Sequence, residues 1–279
     1  MKRIIVILII ILFVKPNLFA QNSAQLHKEQ HPFILGVVDT IQSIELNEKR
    51  VLNIYFPEGY SPDSLTAYPV IYLLDGSANE DFIHIAGLVQ FSNFPWVNTL
   101  PKSILVGIAN IDRRRDFTFP TTIEKDKKDF PTTGGSAKFI SFIEKELQPY
   151  IENNYKTTSS KMLIGQSLGG LLATEILFKR PNLFSQYIIV SPSLWWDNES
   201  LLSIQPKIKA PDFQQNTFVY VAVGKEGKTM ENDAKKLVEL LRKNNPKYLH
   251  VHFDYLNNKN HADIFHQAVY NAFLNLKEK

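Results

Sequence analysis

Lys161 to Gly170 reads KMLIGQSLGG. Five mostly apolar residues run into Gly165-Gln166-Ser167-Leu168-Gly169, and a stretch with helical character follows. A serine between two glycines at the end of an apolar run fits a nucleophile carried on a sharp strand-to-helix turn. Such a turn strains the serine backbone, so its neighbours must be small. Gly165 and Gly169 remove Cβ atoms that would clash, and Gly170 lets the helix pack closely on the sheet. The helix N-terminus adds partial positive charge where an oxyanion would form. The plain alternative is a helix cap by Ser167. A bare Gly-x-Ser-x-Gly arises by chance in about a tenth of chains this long, so its setting between strand and helix carries the weight.

A serine hydroxyl at neutral pH needs a general base. With this type of turn the expected chain order is serine, acid, histidine. His27, His31 and His84 precede the serine. His250 and His252 sit two apart in an apolar strand-like run, and His266 lies inside the last helical segment. His261 falls in NNKNHAD, between the last strand and the final helix, from where an imidazole can reach over the strand ends. It is the expected base. The expected acid is Glu226, in GKEGK directly beyond the run TFVYVAVG. Its rivals are Glu231 and Asp233, which also suit a helix start, and Asp197 after the preceding strand. Two amides must hold the oxyanion. One is Leu168 N–H; the other comes from Asp75-Gly76-Ser77, with Ser77 preferred and Gly76 the alternative.

These residues need a frame that brings strand ends together. VVDTIQSIEL (37–46) and RVLNIYF (50–56), joined by the polar Asn47-Glu48-Lys49, predict an antiparallel hairpin. YPVIYLLDG, KSILVGIANI, KMLIG, QYIIVSPS, TFVYVAVG and YLHVHFDYL are continuous apolar runs, as expected of strands covered on both faces. Helical spacing appears between them. SAKFISFIEKELQPYIENNY (136–155) puts Phe139, Phe142, Ile143, Leu147 and Ile151 on one face. LGGLLATEILFKRP, MENDAKKLVELLRK and ADIFHQAVYNAFLNL follow. EKDKKD (124–129) reads as a solvated loop. A hairpin followed by alternating strand and helix predicts an α/β fold. It would have a mostly parallel central sheet, an N-terminal antiparallel hairpin and helices on both faces. Sites in such sheets form at the C-terminal ends of strands.

The chain has 279 residues, 44% of them hydrophobic, enough for one large domain. Residues 1–20 read as a secretory signal peptide: Lys2 and Arg3, the apolar run Ile4 to Val14, and a small residue, Ala20, at the cleavage point. An uncleaved anchor is the alternative. The chain is thus expected to be exported, periplasmic or secreted, with no stable membrane span after cleavage. The net charge of +3 is matched by Lys2, Arg3 and Lys15 of a leader without acids, so the remainder is neutral. No basic stripe remains for nucleic acid. The absence of cysteine excludes disulfides and thiolate chemistry.

VIYLLDG, VGIANIDRRRDFTFP, GGSAKFISFIEKELQPYI, GQSLGG, VSPSLWW, VGKEG and the Asn-His of NKNHAD follow one another along nearly all of the chain after the leader. In that order they resemble the esterase family of α/β-hydrolases. Esterase D-like enzymes, feruloyl and acetyl xylan esterases and trilactone siderophore esterases belong to it. SPSLWW and RDFT are similar to the periplasmic siderophore-esterase subgroup. The resemblance implies a single α/β-hydrolase domain over residues 21–279 and a serine carboxylic ester hydrolase. Its triad would be Ser167, His261 and Glu226, with Leu168 and Ser77 at the oxyanion. No metal or organic cofactor is implied. The partner would be a small-molecule ester, such as a siderophore trilactone or a feruloyl or acetyl sugar. Arg113 or Arg114 would bind an anionic or catechol-rich substrate, or serve in a surface salt bridge. One of Trp195 and Trp196 would stack on an aromatic or sugar ring, because adjacent helical residues do not share a face. The segment 117–135 would shape specificity. Two rival outcomes are acyl transfer of the mycolyltransferase type and a non-catalytic binding protein on the same scaffold.

Overall fold

The computed structural model describes residues 29–210, 212–243 and 247–276. Eight strands form one sheet: β1 (Gly36–Ser43), β2 (Glu48–Tyr55), β3 (Tyr68–Leu73), β4 (Ile104–Ile108), β5 (Thr157–Gln166), β6 (Gln186–Val190), β7 (Thr217–Gly224) and β8 (Leu249–Leu256). They lie in the order β1-β2-β4-β3-β5-β6-β7-β8. β2 pairs antiparallel with β1 and β4, and all the other pairs are parallel. Every residue of β4 and β7 is buried, which is why these strands read as unbroken apolar runs. Successive side chains enter opposite faces. Val219, Val221 and Val223 of β7 join one core, while Phe218, Tyr220 and Ala222 join the other.

The helices are α1 (Phe82–Ser92), α2 (Arg113–Phe117), α3 (Glu124–Asp129), α4 (Ser136–Phe142), α5 (Gln148–Asn154), α6 (Leu168–Lys179), the single turn α7 (Trp196–Glu199), α8 (Lys228–Arg242) and α9 (Ile264–Leu276). α1 and α9 cover one face of the sheet; α4, α5, α6 and α8 cover the other. In α2, Asp116 pairs with Arg50 of β2, and both side chains are almost fully buried. Arg115 reaches Glu48 on the same strand. These ion pairs fasten the chain that crosses the top of the sheet to its antiparallel end.

Three expectations shift. The hairpin turn falls on residues 44–47, with Asn47 left-handed at φ 53°. Glu48 and Lys49 belong to β2, where Glu48 meets Arg50 and Arg115. EKDKKD is helical, not a loop. None of its residues is buried, and Lys125–Asp129 and Lys127–Glu124 ion pairs run along it at helical spacing. The long helix of 136–155 is interrupted by a π-turn at Ile143–Leu147. Gln148 N–H bonds Ile143 O there, and the ladder changes register just before Pro149, which has no N–H to give. Its five spaced apolar residues are nevertheless all buried.

Ile34–Lys279 is one compact unit. Of the preceding unit, residues 29–33 are described, and they carry no helix or strand. The expected signal peptide lies outside the described residues. Among the described residues no helix is long and apolar enough to cross a membrane.

Candidate active site

β5 ends at Gln166 and α6 begins at Leu168, so Ser167 alone makes the turn, at φ 58° and ψ −118°. That backbone is costly for a residue with a Cβ, and three hydrogen bonds hold it. Ser167 N–H donates to Val190 O (3.0 Å), and its carbonyl accepts from Leu171 N–H (2.9 Å) and Ser193 N–H (3.0 Å). The neighbouring glycines are required by close approach. A Cβ on Gly165 would lie 2.5 Å from Gly169 O, and one on Gly170 would lie 3.0 Å from Pro192 Cα. The serine side chain is thereby directed out over the strand ends, where its Oγ lies 3.3 Å from Ser193 Oγ.

His261 and Glu226 converge on the same place from the ends of β8 and β7. His261 Nδ1 is 2.6 Å from Glu226 Oε2. The other carboxylate oxygen accepts from Gly224 N–H (2.9 Å) and from the Ser191 hydroxyl. Only 2% of the Glu226 side chain is exposed. Burial pushes its pKa up, but hydrogen bonds from His261, Ser191 and Gly224 outweigh this and hold it below the ordinary value. The acid is therefore ionised at neutral pH. An ionised carboxylate only accepts, so Nδ1 carries a proton, and in the neutral ring the lone pair is on Nε2. The histidine loop is tied to the nucleophile strand by Gln166 Nε2–H donating to His261 O (2.6 Å), and to the acid loop by Lys225 N–H donating to Lys259 O (2.7 Å).

Ser167, Ser193, Trp195, Glu226, Met230 and His261 line one open cleft of about 600 Å³. Ser193, not the imidazole, is the hydrogen-bond partner of the Ser167 hydroxyl. Such bonds are often unmade without substrate. A further cavity of about 460 Å³ opens at the opposite end of the sheet, beside Pro69, Ser160 and Phe218, and no ionisable side chain lines it.

Leu168 is the first residue of α6, so its N–H has no partner within the helix. Gly76 cannot serve as the second donor, because its N–H is already bonded to Ile108 O (3.0 Å). The Ser77 N–H has no partner among the described residues, while its hydroxyl accepts from Asn110 N–H (3.2 Å).

Of the four expected substrate-binding residues, Trp195 alone lines the cleft. Trp196 is a correction: it is 0% exposed, packs against Phe130, and donates its indole N–H to Phe119 O (2.9 Å). It is a core residue because adjacent residues of one helical turn point in different directions. Arg114 lies over the Phe130 ring and bonds Asp129 O. Arg113 grips Asp75 with two nitrogens. The rival acids are engaged elsewhere. Asp197 is bonded by Thr121, Thr122 and Ser200, Glu231 accepts from Gly227 N–H, and Asp233 is buried beside Lys236. His250 meets Asn216, His252 the Phe218 ring, and His266 meets His84. Sequence reasoning missed Ser191, Ser193 and the Gln166 side chain. The hydroxyls of VSPS, directly after a strand whose end faces the serine, were the signal available.

A family model described as "Putative esterase" matches residues 43–272. The chain belongs to this esterase family. It is similar to ferri-bacillibactin esterase BesA of Bacillus subtilis (strain 168), at 34% identity over 169 residues, 56% of this chain and 58% of that protein. It is also similar to the siderophore triacetylfusarinine C esterase of Aspergillus fumigatus, at 31% over 142 residues, 48% of this chain and 47% of that one. The chain thus spans about half the length of these curated relatives. Among solved structures, an IroE-like serine hydrolase from Shewanella oneidensis superposes with TM-score 0.79 at 32% identity, covering 87% of this chain and 80% of that one. The BES protein from Bacillus cereus gives TM-score 0.78 at 30% identity, covering 90% and 98%. The fold of this esterase family member is the α/β-hydrolase fold.

Proposed function

We propose that this chain hydrolyses carboxylic esters with Ser167 as nucleophile, His261 as general base and Glu226 as the triad acid. The observation that carries the reading is the 2.6 Å Glu226–His261 contact opening on the same cleft as the left-handed Ser167. Rotation about the Ser167 side chain moves Oγ from Ser193 toward the Nε2 lone pair. Oγ attacks the ester carbonyl carbon while Nε2 takes its proton, and Glu226 stabilises the imidazolium. The carbonyl oxygen becomes an oxyanion between the N–H groups of Leu168 and Ser77. The intermediate collapses, the C–O bond to the alcohol breaks, and Nε2–H protonates the departing alkoxide. Water, deprotonated by Nε2, then attacks the acyl-serine; the bond from the acyl carbon to Ser167 Oγ breaks, Nε2–H returns its proton to Oγ, and the carboxylic acid leaves.

The substrate is a small-molecule ester. A siderophore trilactone is favoured over feruloyl and acetyl sugars because relatives at 34% and 31% identity are named as siderophore esterases. Trp195 supplies the ring on which an aromatic part of it stacks. Residues 1–20 act as a signal peptide and 21–279 as the exported domain, so N-terminal sequencing of exported material is expected to begin at Gln21.

Ser167→Ala is expected to abolish turnover of a short p-nitrophenyl ester with the thermal melt unchanged. Fluorophosphonate is expected to label the wild type and not the variant. Full turnover in the variant defeats the esterase reading. A wild type that neither labels nor turns over is a binding protein on this scaffold.

A further inference from the structure

Arg113 or Arg114 is expected to bind substrate or to serve in a salt bridge, and the Arg113 guanidinium is committed to a salt bridge. Nε–H donates to Asp75 Oδ1 (2.6 Å) and Nη2–H to Asp75 Oδ2 (3.0 Å), a two-point grip on one carboxylate. Nη2–H also reaches the carbonyl of Gln166, the residue before the nucleophile (3.2 Å). The plane of the group lies over the Phe117 ring, 5.6 Å from its centroid. Asp75 is itself constrained. It is left-handed at φ 56°, nearly buried, and its Oδ1 accepts a further hydrogen bond from Asn110 Nδ2–H (2.7 Å). Two residues later comes Ser77, whose N–H is the candidate second oxyanion donor.

The grip therefore spans the two segments that must hold one oxygen between them. The loop after β3 carries the Ser77 amide, and β5 runs into Ser167 and the Leu168 amide. Other bonds fix each segment to the sheet. Leu74 N–H bonds Ile164 O and Gly76 N–H bonds Ile108 O on one side; Ser167 N–H bonds Val190 O on the other. Beyond the last of these pairings, Arg113 ties loop to turn. A carboxylate as buried as that of Asp75 needs a charged or hydrogen-bonding partner. A Cβ built on Gly169 would lie 3.3 Å from Asp75 Oδ2, so an unpaired charge there would sit against the nucleophile turn.

Resting on the esterase reading above, we infer that Arg113 is a positioning residue: through Asp75 and Gln166 it sets the spacing of the two amides that receive the oxyanion. It touches no reacting atom. The role requires the planar fork, so lysine, which has the charge without the geometry, does not replace it.

The test compares Arg113→Lys, Arg113→Met and Asp75→Asn with the wild type on a p-nitrophenyl ester, together with the Arg113→Met/Asp75→Asn double variant. A small misplacement of oxyanion donors predicts a fall in kcat on the order of 10- to 100-fold, with KM little changed. The affinity for a boronic acid that mimics the tetrahedral intermediate falls in parallel. The double variant loses no more than the worse single one, because both residues act through one contact. Thermal melts confirm that each variant is folded, and Asp75→Asn keeps the shape of the side chain should the arginine variants fold poorly. A rise in KM with unchanged kcat overturns the inference in favour of substrate binding. A lowered melting temperature with unchanged kcat and boronate affinity overturns it in favour of a purely structural tie. Wild-type turnover lost in Ser167→Ala but undiminished in Arg113→Met overturns this inference alone; absence of wild-type turnover overturns it along with the esterase reading.

Discussion

At the scale of single residues, Glu226 separates two jobs. Its Oε2 orients the imidazole, and its Oε1 is held by Ser191 and Gly224. Glu226→Gln keeps the shape but removes the charge and presents a donor where one oxygen must accept. We expect kcat to fall on the order of 10³- to 10⁴-fold. The same change alters acid stability. The folded-state pKa lies below the ordinary 4.5, so the unfolded chain takes up its proton first as pH falls. The stabilisation is complete above about pH 5 and is lost as pH drops through the folded value. Denaturation profiles between pH 5 and 3 should therefore be shallower for Glu226→Gln than for the wild type; identical slopes would refute the ionised, hydrogen-bonded carboxylate. The meeting of Ser167, His261 and Glu226 on one cleft was legible because each follows an apolar run, and one bears a motif. Ser191, Ser193 and Asp75 were not, because what they do depends on contacts between segments far apart in the chain. Trp195 and Trp196 show the limit most plainly: helical spacing says that the two part, one to the cleft and one to the core, but not which goes where.

At the scale of elements, strand β7 was read to the residue, since polar chain bounds a run buried on both faces. α1 was missed for a related reason. FIHIAGLVQFS buries Phe82, Ile85, Ala86, Leu88 and Val89 and still exposes Ile83 and Phe91, so no polar stripe reveals its helical period. The turn from β5 to α6 was legible because glycines are needed where backbones nearly touch. Gly165→Ala tests that directly. Its Cβ would fall 2.5 Å from a backbone oxygen of α6, and backbone cannot swing aside as a side chain would. We expect a loss of about 1–3 kcal/mol in stability and at least a tenfold fall in kcat as the serine shifts, read by thermal melt and steady-state kinetics. A variant as stable and active as the wild type would mean that the helix can slide.

At the scale of the molecule, the sheet order decides when the site can exist. β5 lies between β3 and β6, pairing Tyr72 with Leu163 and Gly165 with Ile189. Parallel neighbours brought together from distant chain are slow to assemble. The serine turn is held by Val190 and Ser193, and the acid and base arrive with β7 and β8. After dilution from denaturant, regain of ester turnover should therefore coincide with, or follow, burial of Trp196 seen by fluorescence. Turnover regained ahead of that burial would refute the dependence. A partly assembled chain has the reactive hydroxyl but no base and no cradle for the oxyanion. On the proposed esterase reading, latency is thus written into the topology: while it is being made or moved, the polypeptide is chemically harmless to the esters around it, and it becomes a cutter only on completion.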